Sequence, residues 1–209
     1  MAKNPFASFD VAKKAQYQAS RFCPTILLLI DASSSMLAHA TSLRTCYRRY
    51  LDHLKAIAAP GTMLDQRCFA YTVQAGTPEL LATAQPMPYE PSGGTRLYSA
   101  ISAVISPAPD GDHLLVIFTD GISDTENNAR ERITAFWPVH PGWLPVFLGA
   151  FPEALSAGLA LGITEGNCLS FAARDLPEAF ERLRDGTNRY LTTQKPEARK
   201  LLAAAGLLR

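Results

Sequence analysis

The feature that most constrains this chain is an apolar run that ends abruptly in a carboxylate and three serines. Residues 26–30 are Ile-Leu-Leu-Leu-Ile, and Asp31, Ala32 and the serines at 33–35 follow at once. An apolar run without polar alternation predicts a strand buried on both faces, as in a parallel sheet covered by helices. Polar groups at the carboxyl end of such a strand lie where open α/β sheets bind ligands.

The spacing of Asp31, Ser33 and Ser35 indicates what the polar stretch can do. The three residues alternate along the chain, so an extended turn can direct their oxygens to one side. Converging hard oxygen donors suit a hard cation such as Mg²⁺. Asp and Ser are also preferred at helix N-caps. This stretch alone is therefore compatible with either a metal site or a helix cap.

Composition limits the class of protein. The chain has 209 residues, 47% hydrophobic and 19% charged, which predicts one domain with a full core rather than disorder. Lys plus Arg total 20 and Asp plus Glu total 19, a net charge of +1. This balance argues against nucleic acid or an anionic membrane as the main partner.

The cysteines and the first residues bear on the compartment. Cys23, Cys46, Cys68 and Cys168 form no CxxC pair, which argues against a zinc knuckle or a thioredoxin-type site. Cys46 and Cys68 fall in predicted core elements, so we expect them to be reduced and buried. Residues 1–22 lack the apolar segment of a signal peptide, and no apolar run is long enough to span a bilayer. We expect a cytoplasmic protein.

The rest of the chain alternates between predicted strands and amphipathic helices. Further strands are predicted at 63–73, 79–84, 114–119, 143–149 and 168–171. Helices are predicted near 43–57, 97–105, 126–137, 152–162, 176–190 and 196–208. This order predicts an α/β fold with a doubly wound, Rossmann-like open sheet, mostly parallel with one antiparallel edge strand, and helices on both faces.

The expected domain organisation follows from the same pattern. We expect one domain over residues 23–191, preceded by a polar lead-in at 1–22. A tail with a short helix is expected at 192–209.

Two further loops carry oxygen side chains to the same edge of the predicted sheet. Thr95 follows the Ser-Gly-Gly stretch 92–94, and Asp120 follows the second fully apolar strand, 114–119. Because the carboxyl ends of parallel strands meet at one edge, we expect both to lie near Asp31. Together the three loops offer three hydroxyls and two carboxylates. This set suits an octahedral cation that keeps water, or an incoming anionic oxygen, in its remaining positions.

The ordered set of motifs resembles the von Willebrand factor A family. The resemblance rests on DxSxS after a buried strand, an isolated Thr after a Gly-rich loop and Asp-Gly after a second buried strand, over residues 23–190. Each motif alone is weak, whereas the ordered set is specific. Ser34 stands where many members of the family have glycine, at a position that is not a ligand.

The family carries a metal-ion-dependent adhesion site, usually with Mg²⁺. The resemblance implies that Ser33, Ser35 and Thr95 contact the ion and that Asp31 and Asp120 bind it directly or through water. Mn²⁺ and Ca²⁺ are the alternative ions. It implies an intracellular, bacterial-type binding module without enzymatic activity, whose protein partner completes the coordination with an acidic side chain. It also implies a subunit of a stress-response, defence or ATPase-associated complex.

Two other functions remain open at this point. A magnesium-dependent phosphatase of the haloacid-dehalogenase type also has an Asp after its first strand, but it needs a second carboxylate two residues later. Ser33 occupies that position here. Alternatively, the segment 200–208, Lys-Leu-Leu-Ala-Ala-Ala-Gly-Leu-Leu, could dock into a partner's groove. Packing of the tail onto its own domain and disorder are the other outcomes for this segment.

Overall fold

Six strands form a single sheet. The computed structural model describes residues 24–58, 62–70, 79–82, 89–107, 110–121, 127–193 and 195–209. The strands are β1 Thr25–Asp31, β2 Met63–Ala70, β3 Glu79–Ala82, β4 His113–Thr119, β5 Trp143–Gly149 and β6 Cys168–Ser170. The predicted lead-in at 1–22 and the first residue of the predicted third helix lie outside these ranges.

The strand order places β1 and β4 at the centre. The order is β3-β2-β1-β4-β5-β6. All neighbours are parallel except β2 and β3, which pair antiparallel at one edge. The chain builds the sheet outward from β1 on one side and then continues from β4 on the other. The predicted doubly wound α/β architecture is confirmed, and the switch point lies between β1 and β4, where such sheets bind ligands.

Six α-helices cover the sheet within the described ranges. They are α1 Ala40–Ile57, α2 Leu97–Ile105, α3 Asn127–Val139, α4 Ala154–Ala160, α5 Leu176–Thr192 and α6 Pro196–Ala205. Short 3₁₀ helices occupy Ser34–His39, Glu165–Asn167 and Ala173–Asp175. None of the described helices combines the length and apolar character needed to cross a bilayer.

The side chains of β1 divide the core into two layers. Ile26, Leu28 and Ile30 pack in the cluster that includes α1 and α5. Leu27 and Leu29 pack in the opposite cluster, with α2 and α3. Successive side chains of a strand point to opposite faces, so the apolar run is buried on both sides, as its sequence predicts.

The first helix packs along its predicted stripe. Leu43, Tyr47, Tyr50 and Leu54 are all buried, as expected for apolar residues spaced by three and four. The Tyr50 hydroxyl is hydrogen-bonded to the Thr187 hydroxyl, 2.9 Å away, which joins α1 to α5. Cys46 and Cys168 are free and buried, so the expectation for Cys46 is confirmed. For Cys68, whose side chain is not among those described, burial stays a prediction.

The C-terminal segment packs on the domain. Leu207 is completely buried, and its backbone N–H donates to the Asn167 side chain at 2.6 Å. The Leu208 N–H donates to the Gly166 carbonyl at 2.9 Å. Of the outcomes considered for the tail, the structure favours packing on its own domain over docking in a partner's groove, because Leu207 and Leu208 are not accessible.

Gly186, a poor helix former, lies inside α5 because the chain end packs directly against it. A Cβ atom at this position would stand 2.1 Å from the Leu207 carbonyl oxygen. The helix continues through Gly186 to Thr192 because packing of the chain end compensates for the low helix propensity of glycine.

Candidate metal centre

The ends of β1 and β4 bring two polar loops together. Ile30 pairs with Phe118, so the loops that follow these adjacent parallel strands leave the same edge of the sheet. Asp31 is completely buried at the end of β1. Asp120 is partly exposed just after β4. The sheet therefore positions one buried and one accessible carboxylate at its switch point.

The serine loop folds back on the Asp31 carboxylate. The Ser33 backbone N–H donates to Asp31 Oδ1 at 2.8 Å, a local turn that Asp side chains commonly stabilise. Ser33 itself is extended, with φ −66° and ψ 164°, and it is buried. Ser34 and Ser35 are exposed, so the loop presents a buried and an exposed hydroxyl in succession.

A series of short oxygen contacts connects the two loops. The Ser33 and Ser35 hydroxyl oxygens lie 3.1 Å apart. The Ser35 hydroxyl donates to Asp120 Oδ1 at 2.8 Å, across 85 residues of sequence. Ser35 therefore lies within hydrogen-bonding distance of both Ser33 and Asp120 and links the two separate motifs.

The Gly-rich loop is fastened along the serine loop by backbone hydrogen bonds. The Ser92 N–H donates to the Ala32 carbonyl at 2.7 Å, and the Ser34 N–H donates to the Gly93 carbonyl at 2.9 Å. Gly93 has a φ of +74°, a left-handed conformation that glycine adopts without steric cost. Thr95, buried to 8% exposure, follows two residues later and precedes α2. The third predicted ligand loop is thus attached to the first.

Two residues that the sequence analysis missed hold Asp31 in place. The Thr119 hydroxyl lies 2.6 Å from Asp31 Oδ2 and 2.7 Å from the Gly121 carbonyl, and Thr119 is completely buried. The Tyr89 hydroxyl donates to the Asp31 backbone carbonyl at 2.6 Å. Thr119 directly precedes Asp120, so its hydroxyl could have been assigned to the site from the sequence. Tyr89 follows a Pro-rich stretch, and nothing in that stretch indicates a role at the site.

The electrostatics of the site oppose an ionised Asp31 in the free protein. Burial raises the pKa of the Asp31 carboxyl from 3.8 to about 6. Hydrogen bonds from Thr119 and Ser33 lower this pKa, and the nearby Asp120 carboxylate raises it. A cation beside the carboxylate would favour its ionised form. The electrostatics of the site therefore favour binding of a cation.

The donor set fits a hard divalent cation. Every candidate side-chain donor is an oxygen, and the Asp31 and Asp120 carboxylates, when ionised, would together balance a charge of two. Hard cations prefer such ligands. No group of three or more His, Cys, Asp or Glu side chains that could hold a metal occurs among the described residues. A metal ion at this edge would therefore depend on the hydroxyls of Ser33, Ser35 and Thr95 as well as on the carboxylates.

Comparison with known proteins supports the fold. No protein-family model matches the chain, and no curated protein matches it. Solved structures of proximal thread matrix protein 1 from the mussel byssus are similar. One, at 14% identity and a TM-score of 0.60, covers 79% of this chain and 48% of its own. A second structure has zinc in its MIDAS motif, the metal-ion-dependent adhesion site. It has 14% identity and a TM-score of 0.57, and the match covers 88% of this chain and 52% of the mussel chain.

These likenesses bear on architecture. The chain spans about half the length of the mussel chains it matches. The shared architecture is an α/β sheet with helices on both faces, of the von Willebrand factor A type. The chain therefore has a von Willebrand factor A-like fold.

Proposed function

We propose that this chain is a metal-dependent protein-binding module. In this proposal a divalent cation is held by Asp31, Ser33, Ser35, Thr95 and Asp120. The observation that carries it is the series of contacts from Ser33 through Ser35 to Asp120, 3.1 and 2.8 Å long, beside a buried carboxylate. The zinc-occupied MIDAS motif of the mussel protein supports a divalent metal on this type of fold.

The proposed ligands differ in charge and therefore in role. Asp31 and Asp120 supply the negative charge, while Ser33, Ser35 and Thr95 supply neutral hydroxyls. A bound divalent cation would offer an electrophilic position to a carboxylate from outside the chain. We propose Mg²⁺ as the ion, because it prefers oxygen ligands and usually retains water, with Mn²⁺ and Ca²⁺ as alternatives.

Exposure of the serine loop favours a binding role. Ser34 and Ser35 face solvent, so an acidic side chain of another protein has access to the proposed ion beside them. We propose that this side chain completes the coordination and that the surrounding surface provides the specificity. The balanced net charge of +1 supports a protein partner over nucleic acid or an anionic membrane.

The proposal is of a module without enzymatic activity. A haloacid-dehalogenase-type phosphatase would need Asp31 as an accessible nucleophile and a second carboxylate at position 33. Asp31 is completely buried with a hydrogen-bonding contact at each carboxylate oxygen, and position 33 is serine. Both features support binding over catalysis. Incubation with beryllium fluoride should leave Asp31 unlabelled, and stoichiometric trapping would favour the phosphatase.

We place the module in an intracellular complex. The proposed setting is the cytoplasm, beside an ATPase or within a stress-response or defence assembly. This setting rests on the resemblance of the motifs to intracellular members of the family. Affinity purification from cytosol in Mg²⁺ and again in EDTA tests it, because the partner should be retained only with the metal.

Direct metal titration is the decisive test of the centre. Calorimetry of Mg²⁺ and Mn²⁺ into the metal-free protein should show one saturable site. Asp120→Ala should weaken binding at this site at least about 100-fold, because the change removes one of the two balancing charges. Asp110→Ala, which removes an exposed carboxylate from another loop, is the matched control and should bind as the unmodified chain does. Equal binding by all three proteins would contradict the proposal.

A further inference from the structure

A cavity of about 370 Å³ lies between α2 and α3, away from the metal centre. The lining residues that matter here are Ser102, Ile105, Ser106, Arg132, Phe136 and His140. Helix α2 starts just after Thr95, and an α-helix rises about 1.5 Å per residue. The cavity therefore lies towards the far end of α2, roughly 10 Å or more along the helix from Thr95. Its volume is in the range of small-molecule sites.

A buried hydroxyl without a partner lines this cavity. Ser102 Oγ is shielded from solvent and has no hydrogen-bond partner among the residues that the structure describes. Buried polar side-chain atoms are nearly always hydrogen-bonded, so an exception calls for an explanation. Because Ser102 lines the cavity, rotation about its χ1 to another staggered rotamer would turn the hydroxyl towards a bound molecule, and a hydrogen-bond acceptor there would supply the missing partner.

The charge of the lining favours an anion. Arg132 carries the permanent charge in the described part of the lining, and no carboxylate occurs in that part. A guanidinium binds a carboxylate or a phosphate with two parallel hydrogen bonds. The Ser102 and Ser106 hydroxyls can also donate. The polar side of the cavity is thus complementary to an oxyanion.

The remaining lining is flat and apolar. The Phe136 and His140 rings are stacked, with centroids 3.8 Å apart and an interplanar angle of 12°. The His140 Nδ1–H donates to the Phe136 carbonyl at 2.9 Å, which fixes the orientation of the imidazole ring. Ile105 contributes a buried aliphatic surface. Such walls favour a planar, apolar molecular body.

We propose that this cavity is a binding site for a small organic anion with a flat apolar body. The oxyanion, a carboxylate or a phosphate, binds the Arg132 guanidinium and accepts a hydrogen bond from Ser102. The apolar body packs against Phe136 and Ile105. The site shares no residue with the proposed metal centre.

Titration of the full chain with matched probes tests the proposal. The probes are 2-naphthoate, 2-naphthyl phosphate, uncharged 2-naphthamide and acetate, followed by calorimetry and by amide chemical shifts. One of the two naphthyl anions should bind saturably and shift residues 102–106 and 132–140. The comparison of the two identifies the preferred headgroup. The amide and acetate should bind about tenfold more weakly or worse, since each lacks one half of the recognised chemistry.

Variants separate recognition from structural effects. Arg132→Gln should weaken naphthyl-anion binding about tenfold or more, whereas Arg130→Gln, on the same helix and outside the lining, should not change it. Ser102→Ala should weaken binding several-fold without lowering the melting temperature of the free protein, because its hydroxyl has no partner there.

The outcomes that overturn the proposal are distinct. Equal affinity for 2-naphthoate and 2-naphthamide would remove the anion requirement. Equal losses in Arg132→Gln and Arg130→Gln would show only general electrostatic attraction. Binding that disappears in EDTA would place the carboxylate probe at the metal centre rather than in this cavity. Binding that persists in EDTA and is lost in Arg132→Gln supports the proposal.

Discussion

The candidate metal centre and the cavity between α2 and α3 differ in how their polar groups are satisfied. At the metal centre, the oxygens of Ser33, Ser35 and Asp120 contact one another in series. In the cavity, counting only residues with a described position, Ser102 Oγ has no hydrogen-bond partner and no carboxylate joins Arg132 in the lining. The first arrangement is acidic and suits a cation; the second is basic and suits an anion.

The difference follows from the elements that build each region. Parallel strands end at one edge and bring loops from distant parts of the sequence together, so Ser35 can meet Asp120 across 85 residues. Two packed helices instead leave a cavity lined by both apolar and polar side chains, and the described ones come from those two helices and the residues directly after them. This chain therefore gathers its oxygen-rich loops at the sheet edge and places the Arg132 guanidinium beside a cavity between two helices.

The largest expected effect is at the metal centre. Asp120→Ala should lower Mg²⁺ affinity at least 100-fold, about 3 kcal/mol, because it leaves the second carboxylate to hold the ion alone. Thr95→Ala should cost less, since it removes a neutral ligand. Calorimetry measures both, with circular dichroism to confirm that the fold survives. A larger loss in Thr95→Ala would contradict the proposed division of roles.

The next effect concerns pH and the buried Asp31. Its pKa is about 6 in the folded protein, against an ordinary value of 3.8 for a solvated Asp side chain, so folding of the metal-free protein favours the protonated form. This stabilisation is complete below pH about 3.8 and is lost as the pH rises through about 6. The loss is about 3 kcal/mol, at about 1.36 kcal/mol for each pKa unit.

Denaturant unfolding in EDTA between pH about 4 and about 8 measures this effect. Asp31→Asn should flatten the pH dependence, because the amide does not titrate, and Mg²⁺ should stabilise the unmodified protein most at the upper end of the range. An unchanged pH slope in Asp31→Asn would show that other groups control it.

A smaller effect is expected at Thr119. Thr119→Val removes the hydroxyl that lies 2.6 Å from Asp31 Oδ2 while keeping the side-chain shape. The expected cost in unfolding free energy at neutral pH is about 1.5 kcal/mol, the contribution of a hydrogen bond to a charged group. Thr134→Val, at an exposed position on α3, is the control and should cost less.

The smallest expected effect is that of the cavity on the metal centre. Arg132→Gln should change neither Mg²⁺ affinity nor unfolding free energy by more than about 0.5 kcal/mol, as for most exposed positions. Metal titration and denaturant unfolding of this variant measure both quantities. A marked loss of Mg²⁺ affinity would show that the two regions are coupled through α2 or α3.

Much of the architecture could be predicted because it depends on local patterns. The apolar runs 26–30 and 114–119 predicted central strands, and the spacing of Leu43, Tyr47 and Tyr50 predicted the buried face of α1. These patterns reflect the fixed periods of strands and helices, about two and 3.6 residues. The sequence also predicted that Asp31 and Asp120 would lie at the same edge, because parallel strands leave little alternative.

The sequence could not predict contacts that depend on side chains far apart in the chain. The Thr119 hydroxyl beside Asp31, the Tyr89 hydroxyl on the Asp31 carbonyl and the close approach of Leu207 to Gly186 all require the assembled fold. The unpartnered Ser102 is likewise invisible in the sequence, where it is one polar residue of an amphipathic helix.

By itself, then, the sequence determined which segments are strands and helices and at which edge the acidic and hydroxyl residues gather. The tertiary structure alone decided which oxygens touch, which carboxylate is buried, and where a cavity remains between helices. The physical reason is the distance along the chain over which each feature is defined. A hydrophobic period can be read within a few neighbouring residues. Hydrogen bonds and burial instead depend on distances of a few ångströms between segments that only folding brings together.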